Sequence, residues 1–331
     1  MVNKFLRLNR LLHTLCLGAA MALPAVAFAS TDFPQKPVSI VVPATPGGTA
    51  DLLARLIGPK LAQKWGQPVV VENKPGAGGL IGSAYVARAE PDGHTLMLTF
   101  SELATLPSIN KSARLDVVND LSTIGRIGSL RVILLGSPKL KAENVSDLVK
   151  LLKANPGQYT YSSNGAGSTL QLYAEIFKRE AQVDVMHVPY RGSVEASTAL
   201  MSGEVDLLVQ FASGNVASYV TSGKARGYAI ASPQRMPALP DVPTSEEAGL
   251  PGFQLEAWYG LFAPGNVPDA LREKINRDLN EALSMPDVQE RLASVNMQVQ
   301  PGSVAEFESF FRKEYEEWGE FIRTTGIQSN Q

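Results

Sequence analysis

The sequence predicts an α/β protein of two lobes, each a mainly parallel sheet flanked by helices, with a ligand cleft between them. Three observations lead there. Short β-branched runs alternate with stretches of helical spacing along most of the chain, the pattern of strands joined by helical crossovers. The chain has 331 residues, and without an N-terminal targeting segment about 300 remain, more than one hydrophobic core comfortably serves. Strand signal then fades after Pro268. The C-terminal helices therefore lack a sheet of their own and must return to the first lobe, so the chain crosses between lobes twice.

The targeting segment occupies residues 1–29. Lys4, Arg7 and Arg10 form a basic start, an apolar stretch follows from Leu11 to Val26, and Ala27-Phe28-Ala29 has the small-x-small pattern of a cleavage site near Ala29/Ser30. The apolar run is short for a membrane span and no stop-transfer charges follow it. The sequence before Cys16 lacks the small residues of a lipidation site. Cleavage and export to the periplasm are the expectation. Cys16 is the one cysteine, so the mature chain has no thiol nucleophile, disulfide or thiolate metal ligand. Without the three leader cations, 27 basic residues face 32 acidic ones, a net charge of −5 with no basic run. That excludes an electrostatic footprint for nucleic acid.

Expected strands fall at 38–42, 69–72, 95–99, 132–135, 159–162, 183–188, 205–209 and 226–231. One intervening helix shows Leu148, Leu151 and Leu152 behind a Ser146 cap and before Asn155-Pro156-Gly157. Gly58-Pro59 should kink or interrupt the first helix. In the tail, Leu271, Ile275, Leu279 and Leu283 share one helix face, and Phe307, Phe311, Trp318 and Phe321 line another, as core packing against a sheet. The crossings are placed near 129–131 and 254–258, which divides the mature chain into 30–130, 131–254 and 255–331, the last returning to the first lobe. Two adjacent connections make a hinge that closes around a ligand.

The chemistry lies in strand-to-helix loops. The first strand runs into Pro43-Ala44-Thr45-Pro46-Gly47-Gly48-Thr49-Ala50-Asp51. Its glycines allow positive φ and close backbone approach, and free N–H groups at a helix start hold an anion. Asp51 is divided evenly between ligand contact and ordinary helix-start chemistry. Ser163-Asn164-Gly165-Ala166-Gly167-Ser168-Thr169 and Tyr190-Arg191-Gly192-Ser193 are similar loops, and ligands in such sheets sit beyond the strands' carboxyl ends. Backbone amides, hydroxyls, one side-chain amide and the Arg191 cation together suit a carboxylate.

These loops belong to a longer set of motifs. Phe33-Pro34-Gln35-Lys36-Pro37-Val38, Pro-Gly-Gly-x-x-Asp, Val69-Val70-Val71-Glu72-Asn73-Lys74-Pro75-Gly76-Ala77-Gly78-Gly79 and Pro91-Asp92-Gly93 occur in order. Ala154-Asn155-Pro156-Gly157, His187-Val188-Pro189-Tyr190-Arg191-Gly192 and Leu239-Pro240-Asp241-Val242-Pro243-Thr244 follow. With them the mature chain resembles Bug-type solute-binding proteins, the extracytoplasmic receptors of tripartite tricarboxylate transporters. The resemblance implies a type II-like periplasmic-binding-protein fold and a carboxylate held by backbone amides, hydroxyls and water. It implies site positions at Thr45, Gly47, Gly48, Ser101, Asn164, Ser168, Thr169 and Arg191, and integral-membrane transporter subunits as partners of a monomer. The chain departs from its relatives at Gln210, where many carry Asp, and at Phe100-Ser101-Glu102, where a small polar run is usual. Gln210 and Ser101 are therefore expected to read the far end of a mono- or dicarboxylate, with Glu102 facing solvent near a helix start.

Other readings are weaker. Gly76, Gly78, Gly79 and Gly82 do not fit the dinucleotide fingerprint, and no cofactor is expected. His94 and His187 have no triad partner in view and read as structural, without a metal. An exported enzyme on the same fold lacks a nucleophile–base pair. A sensor reporting to a membrane kinase would use the same closed form.

Overall fold

β1 (Val38–Val42) is an almost unbroken apolar run, and Ile40, Val41 and Val42 are fully buried. It lies between two parallel partners, β2 (Val69–Asn73) and β3 (Thr95–Phe100), with Val38 opposite Val69 and Ser39 opposite Thr95. A strand covered on both faces needs such a run. This computed structural model describes residues 33–110 and 114–325; the segment read as an export signal lies outside them.

The first sheet continues through β9 (Glu256–Pro264), antiparallel to β3, to β4 (Leu121–Gly136). β4 pairs with β9 as far as Arg131, opposite Glu256. From Val132 onward it pairs instead with β7 (Leu207–Phe211) and, from Ile133, with β8 (Arg226–Ile230). β5 (Thr160–Ser163) and β6 (Met186–Pro189) complete the second sheet in the order β8-β4-β7-β5-β6. Both lobes are thus α/β, with sheets that are mixed rather than wholly parallel. The reversed strands, β9 in the first sheet and β4 in the second, are the ones that carry the chain between lobes. The return passes through Leu255, whose N–H donates to Ala231 O at 3.0 Å.

The first half of β4 was not among the expected strands, because Gly125 and Gly128 interrupt its apolar pattern. Packing explains them. A Cβ on Gly125 would lie 2.7 Å from the Asn276 amide, and one on Gly128 only 2.3 Å from the backbone oxygen of Gln298. β-bulges accompany both glycines.

α1 (Thr49–Trp65), α2 (Leu80–Ala87) and α3 (Glu102–Ile109) follow β1, β2 and β3. α1 runs on through Pro59 without the expected interruption, and Gly58 lets it approach β2, where a Cβ would meet Val69 at 3.4 Å. α4 (Val145–Ala154) is capped by Asn144 rather than Ser146, with Asn144 Oδ1 accepting from Asp147 N at 2.9 Å. α5 (Thr169–Ala181), α6 (Ser193–Ser202) and α7 (Gly214–Thr221) follow β5, β6 and β7.

After β9 come α8 (Asp269–Leu283), α9 (Pro286–Ser294), the short β10 (Gln298–Val299) on β4, and α10 (Val304–Thr325). α8 docks on α1, where Trp65 Nε1 donates to Asp278 Oδ2 at 2.7 Å. α10 seats Phe307, Phe310 and Phe311 around the fully buried Trp258 of β9, with ring centroids 5.8–6.1 Å away. The tail aromatics are core, as their spacing predicts. Among the described residues no helix is long and apolar enough to cross a membrane.

Candidate functional site

The loop after β1 is held by its own acid. Gly47 takes φ +86°, which an L side chain resists, and its N–H donates to Asp51 Oδ2 at 2.9 Å. Arg55 Nε donates to Asp51 Oδ1 at 3.0 Å, and Asn73 Nδ2 reaches Ala44 O at 3.2 Å. Asp51 is buried, and the Arg55 guanidinium, with help from the Gly47 amide, lowers its pKa to about 2 against the desolvation cost. Its carboxylate therefore braces the loop from behind. Asp51→Ala is expected to cost about 1–2 kcal/mol at pH 7 through these lost charge-assisted bonds. The depressed pKa sets the sign with pH: the contribution is complete above about 4 and is lost as pH falls toward about 2. Urea unfolding at pH 7 and pH 2 checks both points, since the gap between wild type and variant should close in acid.

In the second lobe, Ser163 Oγ lies 2.7 Å from His187 Nε2 and accepts from Gly165 N, which fixes the turn carrying Asn164. His187 stacks on Tyr161 with centroids 4.9 Å apart, and burial lowers its pKa, so it acts as a neutral strut. α5 begins with a reciprocal cap: Ser168 Oγ accepts from Gln171 N, and Gln171 Oε1 accepts from Gly167 N at 2.6 Å. His94 packs on Phe33, its Nε2 accepting from Gln35 N.

These loops enclose a cavity of about 340 Å³ between the lobes. Thr45, Gly47, Gly48 and Thr49 line it from the first lobe, together with Phe100 and Tyr259, whose rings lie 5.9 Å apart. Asn164, Ser193, Ser197, Gln210, Ser213 and Asn215 line it from the second, with Phe211 and Tyr219. Among the described residues no Lys, Arg, Asp or Glu lines it. Instead the first turns of α1, α6 and α7 open onto it, and first-turn N–H groups have no acceptor within their own helix. Gln210 is 5% exposed; its Nε2 donates to Ser197 Oγ at 2.7 Å, leaving Oε1 without a partner among the described residues.

Of the residues singled out from sequence, Thr45, Gly47, Gly48, Asn164 and Gln210 meet at this cavity. Asp51 stands behind it. Ser101 is buried, 3.4 Å from the Tyr173 hydroxyl, and Thr169 is buried at the start of α5; neither lines the cavity. Arg191 is exposed, its backbone N–H donating to Glu195, and it too lies outside the lining. Sequence reasoning named Phe100 only within the Phe100-Ser101-Glu102 departure, and it missed Tyr259 and the Ser213–Asn215 segment at the start of α7. The rule that ligands sit beyond strand ends would have found that segment, because it is small, polar and follows β7.

A second cavity of about 250 Å³ adjoins the first through Asn164 and is lined by Ala77, Gly78, Glu102, Thr105 and Gly165–Ser168. Glu102 was expected in solvent. It is instead half-buried, with no side-chain partner among the described residues, and burial pushes its pKa up to about 7. The first residue of a helix is usually wet, but α3 starts beneath the second lobe's loops.

Two lobes joined by crossing strands, with an uncharged cleft between them, are the architecture shared with solved solute-binding proteins. The chain belongs to the tripartite tricarboxylate transporter family receptors, whose profile matches residues 53–327. Protein BugT of Bordetella pertussis is 32% identical over 98% of this chain and 99% of its own length. MatC from Rhodopseudomonas palustris, solved with bound malate, is 32% identical with a TM-score of 0.77, over 88% of this chain and 100% of that one. A second R. palustris protein, solved with adipate, is 28% identical with a TM-score of 0.80, over 90% and 99%.

Proposed function

We propose that the mature chain captures a small organic acid in the periplasm, closes around it, and delivers it as a monomer to integral-membrane transporter subunits. The observation that carries this reading is the uncharged cavity onto which three helix N-termini open. It can hold a carboxylate by backbone amides and hydroxyls without a fixed counter-ion. The second cavity next to it offers room for a longer diacid, and relatives solved with malate and adipate support a dicarboxylate. The lobes are 30–130 with 255–331, and 131–254. Hinge motion is taken up where β4 passes from one sheet to the other and at 254–256.

A thermal-shift screen of mono-, di- and tricarboxylates, amino acids and aromatic acids tests it. A ligand of micromolar Kd at a hundredfold excess stabilises by about 2.7 kcal/mol, a rise of several degrees in Tm. Dicarboxylates are expected to head the ranking, and the ligand should be recovered chemically unchanged. A response confined to neutral solutes, or a converted ligand, would overturn the reading.

A further inference from the structure

A third cavity, of about 510 Å³, sits at the two lobe crossings, and none of its lining residues lines either cavity of the cleft. β4 supplies Ser129 and Arg131, the return crossing supplies Gln254 and Glu256, and Gln234 and Gln300 close it from the two lobes. Arg131 is only 9% exposed. Its Nε is buried without a hydrogen-bond partner, and no acid forms an ion pair with it among the described residues.

Both nearby acids are already engaged. Glu256 pairs with Arg126 at 2.6 Å and accepts from Gln300 Nε2 at 2.9 Å. Glu314 accepts from the indole N–H groups of Trp258 and Trp318 at 3.1 and 3.2 Å, and burial raises its pKa toward the neutral form. Neither acid contacts the Arg131 guanidinium, which is left without a carboxylate partner among the described residues. A lysine in this position could shed its proton, but a guanidinium cannot. A buried cation without a counter-ion is costly, and a planar fork of N–H donors suits an oxyanion.

We propose that this hinge cavity is a second anion site, in which Arg131 binds a small oxyanion distinct from the ligand in the cleft. Gln234 and Gln254 add neutral donors around it. Because the site is built from both crossings and both lobes, an anion there biases the angle at which the lobes meet.

Sulfate is the probe, titrated into the mature chain by calorimetry at constant ionic strength held with sodium chloride, which separates a saturable site from general salt stabilisation. The expected result is saturable sulfate binding that survives in Gln210→Asp, weakens at least tenfold in Arg131→Met, and is intermediate in Arg131→Lys, which keeps the cation if the first variant folds poorly. A dicarboxylate titrated into sulfate-loaded protein should still bind, and with a shifted Kd. Equal sulfate binding in wild type and the Arg131 variants, or its loss in Gln210→Asp, would overturn the proposal, the latter by placing sulfate in the cleft.

Discussion

Gln210→Asp will lower the affinity for dicarboxylates by about a hundredfold or more. Gln210 is a buried side chain in the second-lobe wall of an uncharged cavity. Its Oε1 lacks a partner among the described residues, and rotating the amide turns Nε2 toward the cavity as a donor; Oε1 then accepts from the Ser197 hydroxyl once that hydroxyl swings away from Ser193 O, to which it donates at 2.8 Å. A bound carboxylate favours that second arrangement. Aspartate has no such choice, because at neutral pH it offers only acceptors. Two like charges about 4–5 Å apart repel by roughly 3–4 kcal/mol at an effective dielectric near 20, which is two to three decades in Kd. A monocarboxylate anchored at the helix N-termini lies farther off and should lose less than tenfold. Calorimetry at pH 8 with matched mono- and diacids reads the difference directly. Unchanged affinities for both would place the distal end of the ligand elsewhere.

How much of this was legible beforehand depended on whether a residue's role is local. β1 and β3 could be read within a residue or two because a strand buried on both faces is apolar throughout, and β2, at the sheet edge, because its three valines are β-branched. The loop after β1 was equally plain, since a turn that needs positive φ selects glycine. The first half of β4 was not, because Gly125 and Gly128 answer to α8 and β10, which lie about 150 positions further along the chain and look like strand breakers to any local rule. The inter-lobe cavity divides the same way. Gly47, Gly48 and Asn164 sit in loops, and Gln210 near the end of β7, where the chemistry is visible in a few residues. Phe100 and Tyr259 form a wall only because β3 and β9 are neighbours, with Phe100 directly opposite Tyr259. The burial of Arg131 and Glu102 was invisible for a related reason. Each has an ordinary local setting, a strand interior and a helix start, and becomes unusual only when a distant segment covers it.

Glu102→Gln should stabilise the protein by about 3 kcal/mol at pH 8 and leave it nearly unchanged at pH 4.5. The Glu102 carboxyl has an ordinary pKa of 4.5, and burial beside the second cavity raises it to about 7 in the folded state. The folded chain therefore binds that proton more tightly than the unfolded chain. Between about pH 4.5 and 7 it carries the extra proton, so each rise in pH erodes stability, and above 7 the full cost of an unpaired, half-buried carboxylate is present. Converting the difference at 1.36 kcal/mol per pH unit gives the magnitude. Glutamine keeps the shape and cannot ionise. Other groups titrate in the same window, His187 among them with its pKa lowered by burial, but they contribute equally to both proteins and cancel in the difference. Urea denaturation at pH 4.5, 6, 7 and 8 should give a gap that opens through this window and then levels. A gap that stays constant with pH would mean that the carboxyl is solvated in the folded state. The same proton bears on the ligand: a protonated Glu102 can donate to the far end of a long diacid, whereas a carboxylate repels it. Affinity for adipate-length diacids should therefore fall as pH rises from 6 to 8 in the wild type and stay level in Glu102→Gln, while short mono-acids confined to the first cavity show no such slope.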